Sequence, residues 1–151
     1  MLLAVKATNY EFREISGEEF GLLQNGEILL TPYSIGRNLE FGSVYFDFNS
    51  AVIKSESDST LMAVLRQLRN NPKLVVEIGG HTDAVGKEKQ NLGLSLERAL
   101  SVYRYLIEKG VPKENLVYKG YGEDHPKTTG KTEEEREKNR RIEFRVIDIL
   151  K

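Results

Sequence analysis

Residues 74–99 read LVVEIGGHTDAVGKEKQNLGLSLERA. The hydrophobic period changes inside this stretch. Leu74, Val76 and Ile78 alternate with other residues, the pattern of a strand with one buried face. After a loop bracketed by Gly79-Gly80 and Gly86, apolar residues recur at helical spacing, and Gly110 and Pro112 end the pattern. The reading is strand, loop, then a long helix from about Asn91 to Lys109. Asp83 falls in the loop just past the strand's C-terminal end, where ligands often bind, and Arg98 falls on the helix. The glycines let backbone come close to a ligand, and the helix N-terminus offers a positive dipole end.

The flanking sequence repeats this grammar. SVYFDF, residues 43–48, alternates Val44, Phe46 and Phe48 against Tyr45 and Asp47 and is expected to be a half-buried strand. Leu61, Val64, Leu65 and Leu68 then follow helical spacing, with Ser55 or Ser57 as the N-cap and Asn71-Pro72 as the stop. NLVYKGYG, residues 115–122, reads as another strand. Thr132 and Glu135 form a capping box for a short helix. RRIEFRVIDI, residues 140–149, alternates Ile142, Phe144 and Val146 with charged residues as a last strand. The order β-α-β-α-β-(α)-β predicts an α+β two-layer sandwich with helices on one face of a mixed sheet.

Residues 1–36 differ in character. Tyr10, Phe12 and Ile15 suggest a strand, and LLQNGEILL places Asn25-Gly26 between apolar runs, a strong hairpin signal. This segment is expected to be a β-rich lead-in or the tail of a preceding domain, with the main domain at 37–151. The opening MLLAVKATNYEF has neither a basic start nor a small-residue cleavage site. The chain is therefore expected to be a fragment of a longer protein.

Composition narrows the function classes. Of 151 residues, 30% are charged and the net charge is −1, which argues against a general nucleic-acid binder needing a basic stripe. No apolar run approaches the length of a membrane helix. Two histidines and no cysteine argue against a metal centre. The motifs of serine hydrolases, P-loop proteins and dinucleotide enzymes are missing. The carboxylates Glu123-Asp124 and Glu133-Glu134-Glu135 read as solvated faces. No enzyme and no cofactor is expected.

On a wheel of about 100° per residue, Leu92, Leu96, Ala99, Tyr103, Leu106 and Ile107 of the long helix form the expected core stripe. Asn91, Leu94 and Arg98 share the opposite face, expected to be exposed. Asp83 and Arg98 then have two uses. They can pair as a surface ion pair worth about 0–1 kcal/mol. They can also be held apart for a ligand that carries both charges.

Five blocks in order, YFDFNSAVI, VEIGGHTDAVG, the helix N-x-x-LSLERALSVYRYLIEKGV, GYGEDHP and NRRIEF, resemble the OmpA-like C-terminal domain. That family comprises the peptidoglycan-associating modules of outer-membrane proteins, peptidoglycan-associated lipoproteins and flagellar stators. The resemblance runs from about Phe41 to Ile147. It implies non-covalent binding of peptidoglycan, with Asp83 and Arg98 holding the zwitterionic end of diaminopimelate in the stem peptide. It also implies roles beside the pocket for Phe46, Asp47, Thr82, Asn91, Leu94, Asn139 and Arg140. Gln90 stands where many relatives have an aromatic residue, and Leu96-Glu97 precedes Arg98 where basic residues are common. The implied location is the periplasm, with attachment to the outer membrane through a region outside this chain. The other reading is an envelope protein–protein interaction module that does not itself bind the wall.

Overall fold

A computed structural model describes residues 2–5, 10, 13–16, 18–19, 28, 30 and 32–151. Its elements are β1 (Leu2–Val5), β2 (Arg13–Ser16), β3 (Asn38–Leu39), α1 (Asp58–Asn70), β4 (Leu74–His81), α2 (Glu88–Glu108), β5 (Leu116–Gly122), α3 (Glu133–Asn139) and β6 (Arg141–Ile149). β1 and β2 pair antiparallel, with Leu3 opposite Ile15. Tyr10 bridges to Pro32. The Asn25-Gly26 turn and Phe12 lie outside the described residues.

The remaining strands form one mixed sheet in the order β3-β6-β4-β5. β4 and β5 run parallel and are joined through α2, as a parallel pair requires a crossover. β6 pairs antiparallel with both β4 and β3. The register sets Val76 beside Val146, Ile78 beside Phe144 and Gly80 beside Ile142. These residues face the helices. Leu61, Val64, Leu65 and Leu68 of α1 join them in one core with Ala99, Val102 and Leu106 of α2. This is the α+β arrangement read from the sequence. Tyr33, just before the boundary read at residue 37, belongs to the same core and donates from its hydroxyl to Gln67 Oε1 at 2.5 Å.

The first strand of the sheet is not SVYFDF. Asn38 and Leu39 occupy that edge, and Val146 exchanges backbone bonds with Gly36 and Arg37. Residues 43–48 bond instead to the chain that follows them. The Tyr45 amide donates to Ser57 Oγ at 2.7 Å, the Lys54 amide donates to the Tyr45 carbonyl at 3.0 Å, and Phe46 bridges to Ile53. Ser57 thus holds the N-cap position of α1 without capping it, because its hydroxyl accepts from Tyr45. Phe48, expected on a buried face, is 100% exposed in the turn beyond.

The second helix begins a turn earlier than expected, and its buried stripe is rotated. Asn91, Ser95, Arg98, Ala99, Val102 and Leu106 are buried, whereas Leu92 and Leu96 are exposed. The cause is glycine on the sheet. A Cβ at Gly80 would lie 2.1 Å from the Ser95 carbonyl oxygen, and one at Gly120 2.6 Å from the Leu96 amide nitrogen. The helix backbone therefore rests directly on β4 and β5, leaving no room beneath it for the leucines. Ser95 suits this contact: its hydroxyl donates to the Leu92 carbonyl and accepts from the Gly122 amide. The rotation carries Asn91, Leu94 and Arg98 off the solvent side.

Candidate functional site

Beyond the C-terminal end of β4 the chain opens into a cleft of about 730 Å³. Its lining comes from four segments: the 44–49 turn, the 82–86 loop, the first turns of α2, and the cleft side of α3 with Arg140. Phe46, Asp47, Thr82, Asp83, Asn91, Leu94, Arg98 and Arg140 all contribute.

Arg98 is 7% exposed. Its Nε donates to the Ser50 carbonyl at 2.9 Å and its Nη2 to the Asp47 carbonyl at 3.2 Å. The guanidinium carbon lies 5.0 Å from the Phe46 ring centroid, in cation–π range. No carboxylate forms an ion pair with it among the described residues. Burial lowers its pKa first and the nearby Arg140 charge lowers it further, while Asp83 opposes both. A buried cation held by neutral carbonyls keeps N–H donors free to face the cleft.

Asp83, 8% exposed, is the anionic pole. One carboxylate oxygen accepts from the Val85 amide at 2.8 Å, and the other pairs with Arg140 Nη1 at 2.6 Å. Asp83 and Arg98 are thus not an ion pair with each other. Asn91 braces the loop, donating to the Asp83 and Val85 carbonyls and to Glu123 Oε2. Thr82 is 4% exposed, and its hydroxyl has no hydrogen-bond partner among the described residues. A buried hydroxyl left this way carries an unmet demand for a partner.

Other residues take different places. Asp47 lines the cleft and offers its carbonyl to Arg98, while its carboxylate pairs with Lys54 at 3.1 Å. Asn139 does not line the cleft; its amide oxygen accepts from the Lys127 and Thr128 amides and so ties down that loop. Gly79 and Gly80 admit the Tyr121 ring and the helix backbone rather than a ligand. The lining residues not assigned to the site from the sequence include the ion-paired Glu133 and Arg136. Glu133, read as solvated, bonds Arg140 at 2.5 Å and Arg136 at 3.0 Å, and Arg136 lines the same wall. The capping box, fully formed between Thr132 and Glu135, located α3 in the sequence but not the face it turns to the cleft.

A family model described as the OmpA family matches residues 45–140. The chain belongs to the OmpA family. As a member, it is 35% identical over 107 residues to outer membrane protein A of Bordetella avium, covering 71% of this chain and 55% of that protein. The chain thus spans about half the length of that relative. The crystal structure of the peptidoglycan-associated lipoprotein from Burkholderia pseudomallei superimposes with a TM-score of 0.64 at 31% identity, covering 69% of this chain and 88% of that one. The cell wall anchor of the type VI secretion system from Pseudomonas aeruginosa follows, with a TM-score of 0.60 at 27% identity and coverage of 68% and 74%. Among the described residues, no helix of this OmpA-family chain is long and apolar enough to cross a membrane.

The sheet face turned away from the helices carries a second polar group. His81 is 4% exposed and stacks on Tyr121 at 5.0 Å. Its Nε2 lies 3.3 Å from Glu143 Oε2 but out of hydrogen-bonding geometry. Burial, then the Arg141 charge, push its pKa down to about 4 against the pull of Glu143. The fold therefore favours neutral His81. Its contribution is complete above the ordinary value near 6.5, falls as pH drops from there, and is gone below about 4. Urea denaturation at pH 7 and pH 4.5 is expected to show a loss that His81→Phe reduces by about 2 kcal/mol. An equal loss in the variant would assign the whole effect to carboxylates.

Proposed function

We propose that this chain binds peptidoglycan non-covalently, gripping the diaminopimelate of the stem peptide between Asp83 and Arg98. The observation that carries the reading is Arg98, a buried guanidinium with no carboxylate ion pair among the described residues, on the wall of a cleft that also holds a buried aspartate. Burying a charge is costly unless it is paired. A carboxylate arriving from a ligand supplies the missing pair in a two-pronged geometry suited to arginine. The ammonium on the same carbon then points to Asp83, and the Thr82 hydroxyl gains a partner. The likeness to the peptidoglycan-associated lipoprotein and to the secretion-system cell wall anchor supports the same ligand class. On this reading the domain is a clamp rather than an enzyme. It would tether an envelope protein to the wall in the periplasm, the outer-membrane attachment lying in a part beyond this chain.

Titration calorimetry with a diaminopimelate-containing stem peptide tests this. The wild-type chain is expected to bind, and Asp83→Ala, with its fold checked by circular dichroism, to lose binding. A folded wild type that releases no heat with the peptide and passes through a column of purified cell wall would sink the proposal.

A further inference from the structure

The ligand's ammonium, in the reading above, must reach a carboxylate that already has a cation. Arg140 spans two acids: Nη1 bonds Asp83 at 2.6 Å and Nη2 bonds Glu133 at 2.5 Å. The second Asp83 oxygen is held by the Val85 amide. Glu133, Arg140, Asp83 and Arg98 therefore form a row of alternating charges, and among the described residues its last member is in no ion pair. Arg136 bonds the other Glu133 oxygen, its charge being balanced in the formal count by Glu137 on the same lining, and Asp47 is matched by Lys54.

We propose that Arg140 is a resident counter-ion of Asp83 that makes the cleft select a joined ammonium and carboxylate over an ammonium alone. The proposal rests on the ligand reading above and concerns a selectivity that reading leaves unexplained. Asp83 without Arg140 would be a buried free anion, attractive to any amine. With Arg140 in place, an incoming lone ammonium makes three cations against two carboxylates, Asp83 and Glu133. It must also crowd Arg140 towards Arg98, and these two arginines already repel. An ammonium accompanied by a carboxylate restores three against three, because the carboxylate settles on Arg98. Glu133 holds the other fork of Arg140 and so sets how firmly the counter-ion stays on Asp83. Like-charge cost against the wrong ligand is a general route to specificity.

The test compares two stem tripeptides that differ at one side chain, diaminopimelate or lysine, on the full 151-residue chain by calorimetry. Wild type is expected to prefer the diaminopimelate peptide. Arg140→Gln is expected to bind the lysine peptide more tightly and to shrink the preference about tenfold, one decade of affinity ratio. Glu133→Gln, at an exposed residue where folding is not at risk, is expected to move the preference the other way, since Arg140 is then left to Asp83 alone. A purely structural role would weaken both peptides together and leave their ratio unchanged, and that result in both variants overturns the counter-ion role while the binding site stands. A wild type that binds neither peptide overturns the site and this inference together.

Discussion

Arg98→Leu is expected to remove nearly all binding of a diaminopimelate stem peptide while changing the stability of the free chain by no more than about 1 kcal/mol. The two halves come from the same fact. Arg98 is buried and, among the described residues, in no ion pair with a carboxylate, so the free chain carries much of its desolvation cost. A leucine is shorter and gives up the guanidinium's contact with Phe46, but it keeps an apolar side chain at the position and relieves that cost. It also gives up the bonds to the Ser50 and Asp47 carbonyls, each worth about 1 kcal/mol, and those carbonyls sit in an exposed turn where water replaces the donor. The opposing effects nearly cancel. Binding has no such cancellation, because the ligand carboxylate loses its only bidentate partner. A truncated, desolvated charge contact costs about 2–5 kcal/mol, roughly thirtyfold to several thousandfold in affinity. Calorimetry on the variant and urea denaturation beside it measure both. A large loss of stability would mean that Arg98 is a structural brace for the 47–50 turn. Binding within a few-fold of wild type would remove it from the ligand's contacts.

How much of this was legible in the residues depends on how far each interaction reaches along the chain. β4, β6 and the Thr132–Glu135 box were readable because alternation and capping are set by neighbours. The strand expected at 43–48 failed because Tyr45 bonds to Ser57, twelve residues on, and alternation says nothing about which partner a strand takes. The face of α2 failed for a different reason. A wheel weighs side chains, but here the contact is made by backbone against Gly80 and Gly120. Asp83, Arg98 and Arg140 were each named from the sequence with the resemblance as guide. That Asp83 would pair with Arg140, 57 residues away, rather than with Arg98 could not be read from spacing. Glu133 was passed over because a run of three acids in a capping helix is already explained as a solvated face.

That backbone contact makes Gly80→Ala the substitution expected to damage the fold most. The new Cβ would meet the Ser95 carbonyl oxygen at 2.1 Å and its carbon at 2.8 Å. These are helix backbone atoms, so no rotamer change relieves the clash. The helix must lift from the sheet. Ser95 then loses the Gly122 amide at 2.9 Å, and Ala99, Val102 and Leu106, all fully buried, lose contact with β4 and β5. Overpacking of this kind costs about 3 kcal/mol at the upper end of its usual range. Asn91 and Arg98 ride on the same helix, so the cleft is expected to weaken with the fold. Gly93 supplies the control. It lies on α2 with nothing within 4 Å of a Cβ, and Gly93→Ala is expected to stabilise the chain by about 0.5–1 kcal/mol through helix propensity. Urea denaturation of the pair decides the matter: one methyl group in each variant, with opposite signs. If both variants unfold at the wild-type midpoint, α2 does not rest on the sheet as described, and the burial of Arg98 loses its cause.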